Sequence, residues 1–226
     1  MKKTILYVLG GGVALLALVA GGVAFMASQE PETITVKRST LISAGSIDVH
    51  PLLNDYNAFV EWNPWSKRDP NIVKTLSDPP TGVGATYEWS GNDEVGKGKM
   101  ETLTVSDSKI TQRLMFMEPM ESEAEVAFDI VPQGADTEVS WTMTMPNNFM
   151  LKTMTVLGVV NMDSAMGPDF EEGLGSLKTM AEANAKTRID AEKLAAAQAA
   201  AEAAAALAEQ GGEEGLAAGG EVTIPE

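Results

Sequence analysis

The sequence predicts an α+β domain in which a curved antiparallel sheet of about seven strands wraps one long C-terminal helix, with an apolar helix ahead of it. Three observations carry this. Between residues 71 and 145, short runs alternate apolar with polar residues and are parted by Gly-, Pro-, Asn- and Asp-rich turns. From Phe149 to Met180 the apolar residues instead recur every three to five positions, the spacing of an amphipathic helix of about nine turns. At the N-terminus, Ile5 to Ala27 run 23 positions without a charge.

That N-terminal run would rise roughly 34 Å as a helix, enough for the ~30 Å hydrocarbon core of a bilayer. Residues 1–28 are therefore expected to be a transmembrane anchor. Lys2 and Lys3 on one side and Glu30 and Glu32 on the other place the N-terminus in the cytoplasm and the domain outside it, in the periplasm of a bacterium. A cleaved secretory signal is the alternative, because Gly22-Val23-Ala24 offers small residues at a cleavage position. Small residues four apart (Gly10 and Ala14, Ala17 and Gly21) form a weak helix-pairing signal.

Residues 29–32 read as a linker and residues 33–182 as one domain. Thr33 to Ser39 is β-branched and alternating, hence a strand. Ile47, Leu52, Leu53, Tyr56, Phe59 and Val60 follow at near-helical spacing, with Ser46 or Asp48 as N-cap, Pro51 in the first turn and Asn63-Pro64 as the stop. Strands are then expected over 71–76, 84–90, 95–105, 110–117, 122–131 and 137–145. In the last two, Ala124, Val126, Phe128 and Ile130 oppose Glu123, Glu125 and Asp129, and Val139, Trp141, Met143 and Met145 oppose polar partners. One face of the sheet is wet and the other oily, so a long element must cover it. Phe149–Met180 is that element, with a kink expected at Gly167-Pro168. Strand, helices, six strands and a long helix, in that order, describe a helix-grip arrangement.

Trp62-Asn63-Pro64-Trp65, Pro80-Thr81-Gly82-Val83-Gly84-Ala85, Gly91-Asn92-Asp93 and Pro146-Asn147-Asn148-Phe149 stand in this order along the chain. With them, residues 33–182 resemble the START-like, polyketide-cyclase/dehydrase-type proteins of the SRPBCC superfamily. The resemblance implies a deep cavity between the sheet and the last helix, which in that group holds hydrophobic molecules. It implies no particular reaction. The residues expected to line the cavity are Trp65, Tyr87, Trp89, Met100, Leu114, Phe116, Val126, Phe128, Trp141, Met143, Met145, Met154, Met162 and Met166. Thirteen methionines in the chain suit such a space, because methionine adapts to changing occupants; a plain packed core is the other reading.

Candidates for chemistry are few. His50, the sole histidine, precedes Pro51 at a helix start and has no partner in sequence that would make it a catalytic base. Glu88 lies between Tyr87 and Trp89, so alternation sends inward either the acid or the two aromatics; burying the aromatics is the cheaper choice. Asp169, Glu171 and Glu172 after Gly167-Pro168 read as first-turn acids facing a helix dipole, and Asp93 and Glu94 as exposed loop residues. No catalytic, cofactor or metal site is expected. The chain has no cysteine for a thiolate site or disulfide.

The formal charge is −16, with no Lys/Arg stripe, which argues against nucleic acid and against anionic headgroups. Residues 183–226 begin as an alanine-rich helix, 15 of the 28 residues from Ala181 to Ala208 being alanine. Gly211-Gly212 is expected to end it before a disordered acidic tail. The function expected is a membrane-anchored module that binds or transfers a lipid or other apolar small molecule without catalysis. A cyclase- or hydrolase-type enzyme using Glu88, Tyr87 or His50, and a co-chaperone-like interaction module, are the alternatives.

Overall fold

The computed structural model describes residues 2–217, with side chains placed for residues 15–205. The chain divides into two compact units, Met1–Glu182 and Ala183–Glu226, each taken by itself. In the first, helix α1 (Lys2–Gln29) precedes strand β1 (Thr33–Ile42) and the short helices α2 (Ser46–Asn54) and α3 (Tyr56–Trp62). Six strands follow: β2 (Val73–Leu76), β3 (Thr86–Ser90), β4 (Lys97–Ser106), β5 (Lys109–Glu118), β6 (Ser122–Gln133) and β7 (Asp136–Pro146). Helix α4 (Phe149–Val156) and helix α5 (Met162–Ala217) complete the order.

The seven strands form one antiparallel sheet in the order β1-β7-β6-β5-β4-β3-β2. Strand β1 closes against β7 from Thr33↔Pro146 to Ile42↔Thr137, so the first and last strands are neighbours. Two register shifts in β4, at Lys97/Gly98 and Thr102/Thr104, are the bulges that bend such a sheet. The alternation read from the sequence holds: Ala124, Val126, Phe128, Ile130, Val139, Trp141 and Met143 are buried on the concave face. The convex face carries charges paired across strands, such as Lys109–Asp129 at 3.1 Å and Arg113–Glu123 at 3.1 Å.

Helix α5 crosses the concave face and makes the arrangement a helix grip. Phe170, Leu174, Leu177 and Ala181, spaced four, three and four apart, are all buried along one side. The clasp is fastened to β1: Arg38 binds Asp163 and Glu171, each at 2.7 Å, and Lys178 donates to the Leu41 carbonyl at 2.6 Å. Any side chain at Gly167 would collide with the Arg38 guanidinium. The Arg38 hydrogen bond holds the Asp163 carboxyl below the usual carboxylate range.

Several expectations need correction. The helical stretch after β1 is two helices, because Asp55 leaves the helix and its carboxylate caps α3 through the Asn57 amide at 2.8 Å. Gly45, rather than Ser46 or Asp48, stands at the N-cap of α2, and Ile47 is exposed. The clasping segment is broken at Gly158, whose φ of 70° only glycine adopts freely, and it runs through Gly167-Pro168 unbroken. Pro168 is tolerated there because Ser164, four residues back, faces solvent and its carbonyl can bond to water. Asp169, Glu171 and Glu172 are consequently not first-turn acids; Asp163 holds that place.

The N-terminal expectation also changes. Among the described residues no helix is long and apolar enough to cross a membrane. Residues 5–14 of the apolar run, with the Gly10 and Ala14 pairing signal, lie outside the residues whose side chains are described. The last turn of α1 is engaged with protein instead. Ala27 is fully buried, α1 packs against α4, and the chain just after it is tied down. Asn147 donates to the Pro31 carbonyl at 3.0 Å, and buried Lys152 of α4 binds Glu32 at 2.7 Å. The expectation of a single-pass membrane protein with an extracytoplasmic domain does not hold.

In the second unit the alanine-rich stretch is helical, with i,i+4 pairs Lys186–Asp190 and Arg188–Glu192 at 2.8 and 2.9 Å. The helix passes Gly211 and Gly212 to end at Ala217. The tail expected beyond it, 218–226, lies outside the described residues.

Candidate functional site

Between the concave face and the start of α5 lies a cavity of about 210 Å³. Its back wall comes from the inward positions of five strands: Tyr87 and Trp89 on β3, Met100 on β4, Leu114 and Phe116 on β5, Val126 on β6, and Trp141 and Met143 on β7. Phe59 and Asn63 enter from the end of α3, Trp65 and Ile72 from the segment after it, and Met166 and Phe170 from α5. Glu94 and Val95 close it from the β3–β4 connection. Seven of the sixteen lining residues are aromatic, so much of the wall is flat and polarisable.

The aromatic wall is ordered by its own packing. Tyr87 and Trp89, two apart on β3, lie nearly parallel with centroids 5.6 Å apart and planes 23° apart. Gly98, opposite Trp89 in the register, leaves room for that indole; a Cβ there would clash with its Cη2 and Cζ2 atoms and with the Met115 carbonyl oxygen. The indole nitrogen donates to the Val95 carbonyl at 3.0 Å and so pins the wall to the β3–β4 connection. On the far side Trp141 stacks on Phe170 at 4.2 Å and 6°, joining sheet and helix. Gly173 permits that approach, since a Cβ there would sit 2.7 Å from Trp141 Cζ3.

Polar groups near the wall are mostly engaged. Burial pushes the Tyr87 hydroxyl above its ordinary range, against the opposing influence of a Ser66 hydrogen bond. Deeper in, burial pushes Tyr56 up to about 12, although its hydroxyl accepts from Thr102 Oγ1 at 3.2 Å. The Asn63 amide donates to the Phe59 carbonyl and to Ser66 Oγ, each at 2.8 Å. The Trp141 indole nitrogen is buried without a hydrogen-bond partner, and Trp62 and Trp65 stand edge-on to that ring at 5.4 and 5.8 Å.

Ten of the fourteen residues expected at the cavity are on its wall: Trp65, Tyr87, Trp89, Met100, Leu114, Phe116, Val126, Trp141, Met143 and Met166. Phe128 is not, being fully buried in the packed region with Trp141 at 5.4 Å. Met145, near the end of β7, pairs with Ile34 away from the cavity. Met154 and Met162 are absent from the wall because the turn at Gly158 separates α4 from α5, and α4 packs on α1. The reading missed Phe59, Asn63, Ile72, Glu94, Val95 and Phe170. Phe59 and Phe170 sat on helical apolar stripes and could have been found; the loop residues carry no periodic signal.

The proposed chemical groups lie elsewhere. Glu88 points to the convex side, half exposed, and binds Lys99 at 2.9 Å. His50 Nε2 lies 3.1 Å from the Ser106 carbonyl on α2's own side of the sheet. Asp169 and Glu171 bind Arg68 and Arg38. Among the described residues no group of three or more His, Cys, Asp or Glu could hold a metal ion.

No protein-family model matches the chain, and no curated protein matches it. Solved structures of similar shape include a protein of Chromobacterium violaceum, with 16% identity and a TM-score of 0.48 over 68% of this chain and 99% of the other. An Aha1 dimer from Colwellia psychrerythraea has 15% identity and a TM-score of 0.48 over 66% and 96%. The Zhui aromatase/cyclase of a Streptomyces species has 11% identity and a TM-score of 0.49 over 66% and 94%. Likeness at this level leaves both fold and function to be argued from the chain's own geometry.

Proposed function

We propose that the protein is a non-catalytic binding module that holds an apolar small molecule in this cavity. The observation that carries the reading is the unfilled space itself, about 210 Å³ walled by aromatic and methionine side chains. Protein interiors are close-packed, so an apolar void of that size forfeits contacts that an occupant would restore. A cavity of ~150 Å³ with apolar walls already admits benzene, while sites for drug-sized ligands begin at about 300 Å³. The occupant is therefore a body of one or two rings, or a section of acyl or isoprenoid chain whose remainder leaves by the mouth. The nearly parallel Tyr87 and Trp89 favour a flat one.

Residues 33–182 form the binding module in this reading, and the ten residues on the wall contact the ligand. The alanine-rich helix beyond is a spacer. Glu88 and His50 take no part, since neither is on the wall. Native mass spectrometry of the purified chain, followed by titration with naphthalene-sized probes, tests the proposal through bound mass and quenching of Trp65 and Trp89. Stoichiometric binding is expected; a reproducibly empty protein that takes up no probe overturns it.

A further inference from the structure

Of the sixteen residues around the cavity, fifteen present neutral side chains and the remaining one is Glu94. A carboxylate on the rim of an aromatic pocket invites the question of which charge it awaits.

The connection between β3 and β4 is built to hold Glu94 in place. Asn92 Oδ1 accepts from the amides of Glu94 and Val95, at 3.0 and 3.2 Å. The Gly91 amide bonds the Gly96 carbonyl at 2.9 Å, closing the loop at its base. Asp69, itself buried, accepts from the Asn92 amide at 2.7 Å and from the Asn71 amide at 2.8 Å, stapling this loop to the segment that carries Ile72. The Trp89 indole donates to the carbonyl of Val95, the next residue after Glu94. The backbone that carries the acid is thus held beside the aromatic wall.

Among the described residues the ionic partner of Glu94 is Arg68, and that pair is weakly engaged. Arg68 Nε lies 3.8 Å from Glu94 Oε1, with the Glu94 side chain 61% exposed. Such a pair contributes little. Both terminal nitrogens of the same guanidinium are on the Asp169 carboxylate, whose side chain is only 15% exposed. Asp169 neutralises Arg68, so the trio at the mouth keeps one net negative charge, and that charge resides on Glu94. An anionic ligand end would meet it on the wall. A cationic end would find a counter-charge to pair with, in a wall that holds the indoles Trp65 and Trp89, rings of the kind that attract cations. The chain's formal charge of −16 biases the approach of ligands in the same direction.

We infer that the cavity selects a ligand with a flat apolar body and a cationic, ammonium-like end, which sits at the mouth against Glu94. The inference rests on the reading of the cavity as a ligand site. Three probes with one naphthalene body test it in the full chain by calorimetry at low salt: 2-naphthylmethylammonium, 2-naphthylmethanol and 2-naphthylacetate. The ammonium is expected to bind about tenfold tighter than the alcohol, within what one charge pair ~4 Å apart supplies at a half-exposed site, and the carboxylate weaker than either. In Glu94→Gln the ammonium and alcohol affinities should fall within about twofold of each other. In the wild type, raising the salt should shrink the ammonium's advantage without reference to any variant. Equal binding of ammonium and alcohol overturns the inference and leaves the cavity reading standing. Tightest binding of the carboxylate also overturns it and would make Arg68 the recognition group. Failure of all three probes removes the cavity reading and the inference together.

Discussion

Beneath α2 and α3 the concave face of the sheet is filled, whereas toward β3 and the start of α5 it is hollow, though both ends use the same kinds of residue. At the filled end Trp62 is completely buried, donates to the Leu52 carbonyl at 2.9 Å and meets Phe59, Phe128 and Trp141 edge-on. Val49, Leu53, Ile110, Ile130, Leu174 and Leu177 complete that core. At the hollow end Trp89, Phe116 and Met166 are only partly buried and face space. What differs is the cover. At one end α2 packs on β6 and β7. At the other, residues from the end of α3, the segment after it and the start of α5 border the space, and aromatic side chains act as walls rather than as filling. Gly98 reinforces this by letting the Trp89 ring lie flat against the strand surface.

Substitutions can break or sharpen that contrast. Trp141 joins the two regions, stacked on Phe170 and in contact with the packed aromatics. Trp141→Ala should cost about 3–5 kcal/mol in urea denaturation, the range for deleting a buried aromatic. A much smaller loss would mean that the filled end does not depend on this joint.

A high-pH scan comes next. Burial raises Tyr56 to about 12, against about 10 for the unfolded chain. The native state therefore holds a proton that the unfolded state releases. The stability this confers is complete below about pH 10 and is lost as pH rises through about 12, on the order of 2 kcal/mol in all. Chemical denaturation at pH 9, 10.5 and 12 should show the decline, and Tyr56→Phe should flatten it. The buried Tyr87 adds a contribution of the same sign.

Filling the hollow end should barely affect stability. Leu114→Phe places extra atoms toward free space, so a change under about 1 kcal/mol is expected together with loss of probe binding. A large destabilisation would indicate that the wall has no room to receive a ring. The smallest effect belongs to Glu88→Gln on the convex side, where only an exposed pair with Lys99 is lost. Stability should move by no more than about 0.5 kcal/mol, with probe affinity unchanged. A drop in affinity would place this acid in the binding machinery.

The sequence foretold most of the sheet because strand alternation is a local property. The six strands read between residues 71 and 145 are all present, with ends shifted by a few residues, and the inward set on β6 and β7 is buried as expected. The Glu88 choice was legible for the same reason, since two aromatics outweigh one acid. The long helix was harder. Gly167-Pro168 looked like its weak point, yet a proline whose orphaned carbonyl reaches solvent is tolerated, and the break fell at Gly158 instead. That shift removed Met154 and Met162 from the cavity. The N-terminal run misled differently: hydropathy reports what a segment avoids, not that its last turn packs on α4 through Ala27.

From residues alone came the α+β class, the strand order along the chain and the oily inner face. Periodicity and burial preference act over a few residues and can be read in one dimension. Tertiary structure decided where the clasp begins, which end of the sheet stays hollow, and that Glu94 rather than Glu88 meets the space. Those outcomes depend on contacts among segments far apart in sequence, such as Asp69 holding Asn92 and Asp169 holding Arg68, for which no local pattern exists.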